Sequence, residues 1–235
     1  MTFAFGGQDL SPYIFVSEAT RTVAPSRRVE RTEVPGMDGE LVRFDGLEAV
    51  EVSVKGYLTP YGIDQVAKVK RILAKMLTTD EAQALRLPDE PWSYMLAVYT
   101  GGAELSRHAH RPKVELTFLC ADPVAYGQER TASLTTTAKK VDSGGTWRSW
   151  PVVTAKPASG SYWMLTNVTT GDFVRVDATF TGSQTVKLDM QKQRCTVNGT
   201  DHAVNVLSDF FALDGEQSLK VSSGTATLEW SERWL

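Results

Sequence analysis

The chain has 235 residues, 42% hydrophobic and 23% charged, with a formal net charge of -3, the profile of a globular protein able to bury a core as one large or two smaller domains. Residues 1–126 carry 14 basic and 17 acidic side chains and residues 127–235 carry 11 of each, so neither half has the cationic excess that a phosphate backbone demands, and sequence-specific nucleic-acid binding is not expected. No apolar run approaches the roughly 20 residues of a bilayer span, MTFAFGGQDLSPY has no signal-peptide pattern, and Cys120 and Cys195 lie too far apart in sequence to suggest a disulfide framework; reduced thiols and synthesis in a cytoplasm are expected.

At the N-terminus, Phe3 and Phe5 form an arm too apolar to stand in water, which predicts packing on this subunit or on a neighbouring one. Arg28–Val34 and Glu40–Phe44 read as two strands. Between them, Pro35 supplies a fixed φ, and Gly36 and Gly39 supply backbone freedom around Met37 and Asp38, which is the chemistry of a hairpin loop. A hard cation at Asp38 would need several further oxygen ligands at close spacing. None follows, so Asp38 reads as part of the turn.

Val50, Val52 and Val54 then alternate with Glu51, Ser53 and Lys55, a half-buried strand. The stripe Val66, Val69, Leu73, Met76 and Leu77 has a 3.6-residue period and predicts a helix, with Asp64 as a candidate N-cap. Lys68, Arg71 and Lys75 project from its other face, as solvated charges or as a surface for an acidic partner. Asp89 and Glu90 flank prolines, where carboxylates mark turns. His108 and His110 are two apart, but zinc needs three or four ligands and no companion stands at a recognisable spacing. Val114, Leu116, Phe118 and Cys120 alternate as another strand.

Composition shifts near residue 127. Eight of the ten prolines precede it and five of the six tryptophans follow it. Two domains are expected, 1–127 and 128–235, with Glu129–Gly145 as a linker or as the first edge strand of the second. Period-two runs at 173–180, 186–190 and 226–231, with turn signals between them, predict an all-β sandwich. Trp147, Trp150 and Trp163 cluster at its start. Exposed rings there would be candidate contacts for a weakly bound saccharide, whereas buried rings would fill the core. Trp230 alternates inward with Leu228. No nucleophile elbow, P-loop, Rossmann fingerprint or HExxH occurs, so no enzyme class and no cofactor is indicated.

Taken in order, FAFGGQDLSPYIFV, VERTEVPGMDGELV, the helix, LPDEPWSYMLAVY and VELTFLCADPVAYG resemble the distal tail protein (Dit) family of siphophages, with Asp122, Pro123 and Tyr126 in the signature that closes its first domain. WPVVTAKPAS, the Gly171-Asp172 turn, QTVKLDMQKQRCTVNG and FFALDGEQSLKV extend the likeness over essentially the whole chain. Glu216-Gln217 after Gly215 departs from the Asn-rich turn expected of relatives. The resemblance implies a mainly β protein: a β-rich, ring-forming first domain with one helix, then a galectin-like or carbohydrate-module-like β-sandwich. It implies a homohexameric hub in the virion, at the tail tip or baseplate. There it would join the tail tube, through the major tail protein, to a tail-associated hub or lysin protein, with the tape measure protein a further candidate partner. The resemblance implies no membrane partner and no chemistry.

A ring of identical copies needs two different, complementary surfaces on each copy. Open sheet edges can supply one of them. The candidate interface residues are Phe3 and Phe5 in the arm, with Val29, Arg31, Glu33, Leu41 and Arg43 in the hairpin. Gly36, Asp38 and Gly39 shape its tip.

Overall fold

The computed structural model describes residues 2–59, 62–101 and 112–235; His108 and His110 lie outside them. The chain divides into two compact units, one running to Ala125 and one from Tyr126 to Trp234.

The first unit is built from β1 (Ala4–Phe5), β2 (Gln8–Asp9), β3 (Ile14–Thr20), β4 (Arg27–Glu33), β5 (Glu40–Leu47), β6 (Val50–Leu58), α1 (Ile63–Leu77), β7 (Gln83–Arg86), β8 (Met95–Gly101) and β9 (Lys113–Cys120). Seven of these strands form one open sheet in the order β2-β1-β7-β8-β9-β6-β3, and β4 and β5 pair separately as a hairpin. The alternation at 50–58 has its cause in the core. Val50, Val52, Val54 and Leu58 are buried among Leu116, Phe118 and Cys120 of β9, while their neighbours face outward.

The helix forms where its apolar stripe predicts, and Val69, Leu73 and Leu77 close the core from one side. Each such side chain contributes about 1.5–3 kcal/mol by leaving water. Asp64 is not the N-cap. Gly62 holds that position without a side-chain bond, and Asp64 stands in the first turn, where a negative charge still complements the exposed helical N–H groups.

The N-terminal arm packs on its own unit, the first of the two expected outcomes, which corrects the place of Phe3 and Phe5 among the interface residues. Phe3 and Phe5 are buried in their own unit, and Phe5 packs on the Phe118 ring at 5.2 Å between centroids. The arm pairs with β7, Ala4 opposite Arg86 and Phe5 opposite Leu85. These rings satisfy the arm's apolar surface within one chain, so they are not available to a neighbour.

The second unit contains β10 (Ala125–Leu134), β11 (Lys139–Asp142), β12 (Val152–Lys156), β13 (Gly160–Asn167), β14 (Phe173–Phe180), β15 (Val186–Asp189), β16 (Arg194–Val197), β17 (Thr200–Asp201), β18 (Glu216–Val221) and β19 (Thr225–Trp234). They make a six-stranded sheet, β10-β19-β12-β15-β16-β17, and a four-stranded sheet, β11-β18-β13-β14. Inward residues of both, including Val153, Trp163, Leu165, Val176, Leu188 and Leu228, share one core, the layered arrangement of a β-sandwich. Within it the buried Asn167 amide donates to Gln217 Oε1 at 3.0 Å, so the polar pair satisfies itself. Segment 129–134 is strand, at the edge of the larger sheet.

Candidate subunit interface

The hairpin β4–β5 is almost wholly exposed. Every residue of β4 is exposed, and all of β5 except half-buried Leu47. Its loop folds as expected: Met37 N–H donates to Val34 O at 3.1 Å, and Gly36 at φ +84° takes the third turn position after Pro35, the geometry of a type II turn. Gly39, also at positive φ, leads into β5. Asp38 stands in this loop, outside both strands, in the place its turn role predicts.

Cross-strand register sorts the side chains. Val29 faces Phe44, Arg31 faces Val42 and Glu33 faces Glu40; on the alternate face Glu30 meets Arg43 and Thr32 meets Leu41. The expected interface residues are therefore split. Val29, Arg31 and Glu33 share one face, while Leu41 and Arg43 lie on the other. The first face is the more apolar, because Val42 and Phe44 join Val29 there, with Phe44 62% exposed and the Arg27 guanidinium 5.6 Å from its ring centroid. The second is held by charge: Arg43 pairs with Glu30 at 3.7 Å and with Asp45 at 3.0 Å.

Val42 and Phe44 fall inside the strand predicted at 40–44, but their place on the Val29 face follows only from the register. A six-residue loop between Glu33 and Glu40 fixes which positions face each other, and with it the face on which Phe44 falls.

A second apolar surface lies on the same unit. β3 is an edge strand, and beside it opens a cleft of about 670 Å³ lined by Phe3, Ile14, Phe15, Val16, Tyr57 and Pro88 among others. Phe15 is 65% exposed and stands opposite Tyr57 across the β3–β6 pair. Gly56 fixes this meeting of strands, since a Cβ there would come within 2.3 Å of the Phe15 carbonyl oxygen. Arg21, just past β3, is clamped by Asp89 at 3.2 Å and Glu90 at 2.5 Å, which is the work the proline-flanked carboxylates do.

The remaining candidates are placed as follows. Asp122 accepts the Val124 N–H at 3.3 Å and shapes the turn at Pro123, and the Arg233 guanidinium lies 5.4 Å from the Tyr126 ring centroid. Trp163 is not a glycan contact. It has no solvent exposure and packs in the sandwich core, its indole N–H donating to Ser223 O. Trp147 and Trp150 are half-buried; Trp150 packs against the core, and the Arg148 guanidinium sits 5.5 Å from the Trp147 ring centroid. Among the described residues no three His, Cys, Asp or Glu side chains gather in a metal-binding group, and none of the helices is long and apolar enough to cross a membrane.

Two family models match this pair of units: the phage tail protein RIFT-related domain over residues 8–120, and the siphovirus-type tail component, C-terminal domain, over residues 144–234. The distal tail protein of Bacillus phage SPP1 is 26% identical over 243 residues, spanning 100% of this chain and 96% of that protein. The crystal structure of SPP1 Dit, described as a paradigm of the hub adsorption apparatus in phages infecting Gram-positive bacteria, shares the fold with a TM-score of 0.87 at 23% identity, over 100% of this chain and 99% of that one. A chain of the phage P2 baseplate in its activated conformation with Ca gives 0.50 at 8% identity, over 95% and 92%.

The two family models, which between them match most of the chain, make it a siphovirus tail component. The chain belongs to the distal tail protein (Dit) family.

Proposed function

We propose that this protein is the hub of its phage's tail tip: six copies close a ring through their first units and join the tail tube to the baseplate or tail tip. The observation that carries this reading is the hairpin β4–β5, solvent-exposed on both faces. An isolated two-stranded hairpin is at best marginally stable in water. An exposed hairpin with Val29, Val42 and Phe44 on one face therefore calls for a partner, and a closed ring of identical subunits supplies one to every copy by a head-to-tail contact.

In this reading the major tail protein contacts one side of the ring and a tail-associated hub or lysin protein the other, with the tape measure protein passing within reach. The role is mechanical: the protein positions other components and transforms no substrate. Val29, Arg31 and Glu33 form the subunit-facing side of the hairpin, and Leu41 and Arg43 its reverse. Images of negatively stained protein test the proposal. Rings with six-fold symmetry are expected; particles of single-chain size at every concentration would overturn it.

A further inference from the structure

We infer that the outer face of α1 is a docking surface for an acidic helix of another protein, with Lys68, Arg71 and Lys75 receiving its carboxylates. A single chain presents this face, so the inference stands apart from the ring reading.

The helix sorts its side chains by face. Val69, Leu73 and Leu77 are buried, and Lys68, Arg71 and Lys75 are exposed on the side away from them. At 3.6 residues per turn, the three cations fall within about 60° of arc along about 10 Å of helix. Among the described residues none of the three is in an ion pair. Cations elsewhere on the same unit differ: Arg31 has Glu40 at 3.8 Å, Arg43 has Asp45 at 3.0 Å and Lys55 has Glu115 at 3.9 Å. The helix holds four of the 14 basic side chains of residues 1–126 and one of their 17 acidic ones. A cationic strip therefore stands on an otherwise acidic unit.

The stability of the helix does not account for the strip. Lys68 and Arg71 are three apart and Arg71 and Lys75 are four apart, the spacings at which like charges repel and a glutamate would attract. Lys75, in the last turn, complements the helix dipole, but Lys68 and Arg71 stand farther in. Asp64, the one carboxylate of the helix, is in the first turn and leaves Arg71 and Lys75 uncompensated.

The flanks of the strip fit a helical partner. Ala67 and Ala74 lie along one side, exposed and small enough for a second helix to approach closely. Ile72, 38% exposed, offers an apolar contact on the other side. A helix lying alongside carries its own carboxylates at the same rise and turn, so three of them meet the three cations together. A phosphate backbone fits less well, because the acidic remainder of the unit repels it.

The test uses the full chain and a fluorescent alanine-based helical peptide with glutamates along one face, its binding read by polarisation. Binding is expected at low salt and should weaken as salt rises. Lys68→Gln/Arg71→Gln/Lys75→Gln should lose about ten-fold in affinity. The three positions are exposed, so this variant should keep the native circular dichroism. Lys156→Gln/Lys187→Gln/Lys220→Gln makes the same change of charge at exposed positions of the second unit and should bind as the native chain does. A peptide of the same composition with its glutamates spread round the helix should bind more weakly than the one-faced peptide. Equal losses in the two triple variants, or equal binding of the two peptides, would reduce the effect to net charge and overturn the site. A DNA duplex that binds more tightly than the peptide and is released by the helix variant would overturn the acidic-helix partner. A native chain that ignores the peptide at low salt would overturn the inference outright, while the hub reading would still stand or fall on the imaging of rings.

Discussion

Trp163 of β13 is joined to Ser223 in the turn between β18 and β19, the indole N–H of one donating to the backbone carbonyl of the other at 3.2 Å. With 0% of its surface exposed, Trp163 fills a space no smaller side chain can fill. Trp163→Ala should destabilise the second unit by about 3–5 kcal/mol, read as a lower denaturation midpoint. Tyr162, next to it and on the outer face under the Arg175 guanidinium, should tolerate alanine within about 0.5–1 kcal/mol. Equal effects at the two positions would contradict this assignment of faces.

Glu232 is 6% exposed in β19, and its carboxylate accepts from Arg130 Nε. Removing the cation strands a buried charge, so Arg130→Met should cost about 2 kcal/mol of stability. Half of Arg130 reaches solvent, which keeps the loss below that of a fully enclosed pair. Arg130→Met combined with Glu232→Leu should recover most of it, because an apolar pair has no charge to desolvate. A double variant weaker than the single one would show that the carboxylate has another role.

The acid limb of stability should depend on Asp177 and Asp201. Asp177 accepts from Asn205 Nδ2 at 2.8 Å and from Arg175 Nε at 2.7 Å, and these bonds hold its carboxyl below the usual carboxylate range. Arg194 does the same for Asp201. A group depressed in the folded state contributes stability above its unfolded pKa and loses it as pH falls through the folded value. The contribution is therefore present at neutral pH and disappears below about pH 4. Asp177→Asn with Asp201→Asn should be less stable than the native chain at pH 7 and converge with it in acid. Parallel curves down to pH 2 would contradict the linkage.

Much of the architecture is legible in the residues. The alternation at 50–58 and 114–120 marks core strands because one face meets an apolar interior and the other water, and the stripe from Val66 to Leu77 marks the helix for the same reason. Long-range pairing is not written in this way. Phe3 and Phe5 read as an arm that packs on its own subunit or on a neighbour, and sequence cannot choose between the two because it does not show that β1 adds to β7 and drives both rings onto Phe118. Trp163 and Tyr162 are adjacent, and a shift of one residue in register decides which of them is core. The apolar hairpin face was only half visible, since Phe44 joins Val29 by a cross-strand pairing that the loop length sets.

Burial pushes the Cys120 thiol up to about 12, with the charge of Asp122 adding to it, and pushes Cys195 up to about 11, with Asp201 adding. The thiolate is the reactive form, so neither should react with iodoacetamide at neutral pH in the folded chain. Each unit holds one of them, and on denaturation each thiol reports the opening of its own unit. Mass spectrometry of labelled peptides across a urea series checks this; rapid labelling of either cysteine in native buffer would contradict its burial.

The ring is tested most directly by the solution mass from light scattering behind size exclusion, on the native chain and on Val29→Ser/Val42→Ser/Phe44→Ser. All three substitutions are at exposed positions, so the variant should keep the native circular dichroism. The native chain should give six times its 25.9 kDa and the variant the mass of one chain. A native chain that stays single at every concentration, or a variant that assembles as readily as the native protein, would contradict the account.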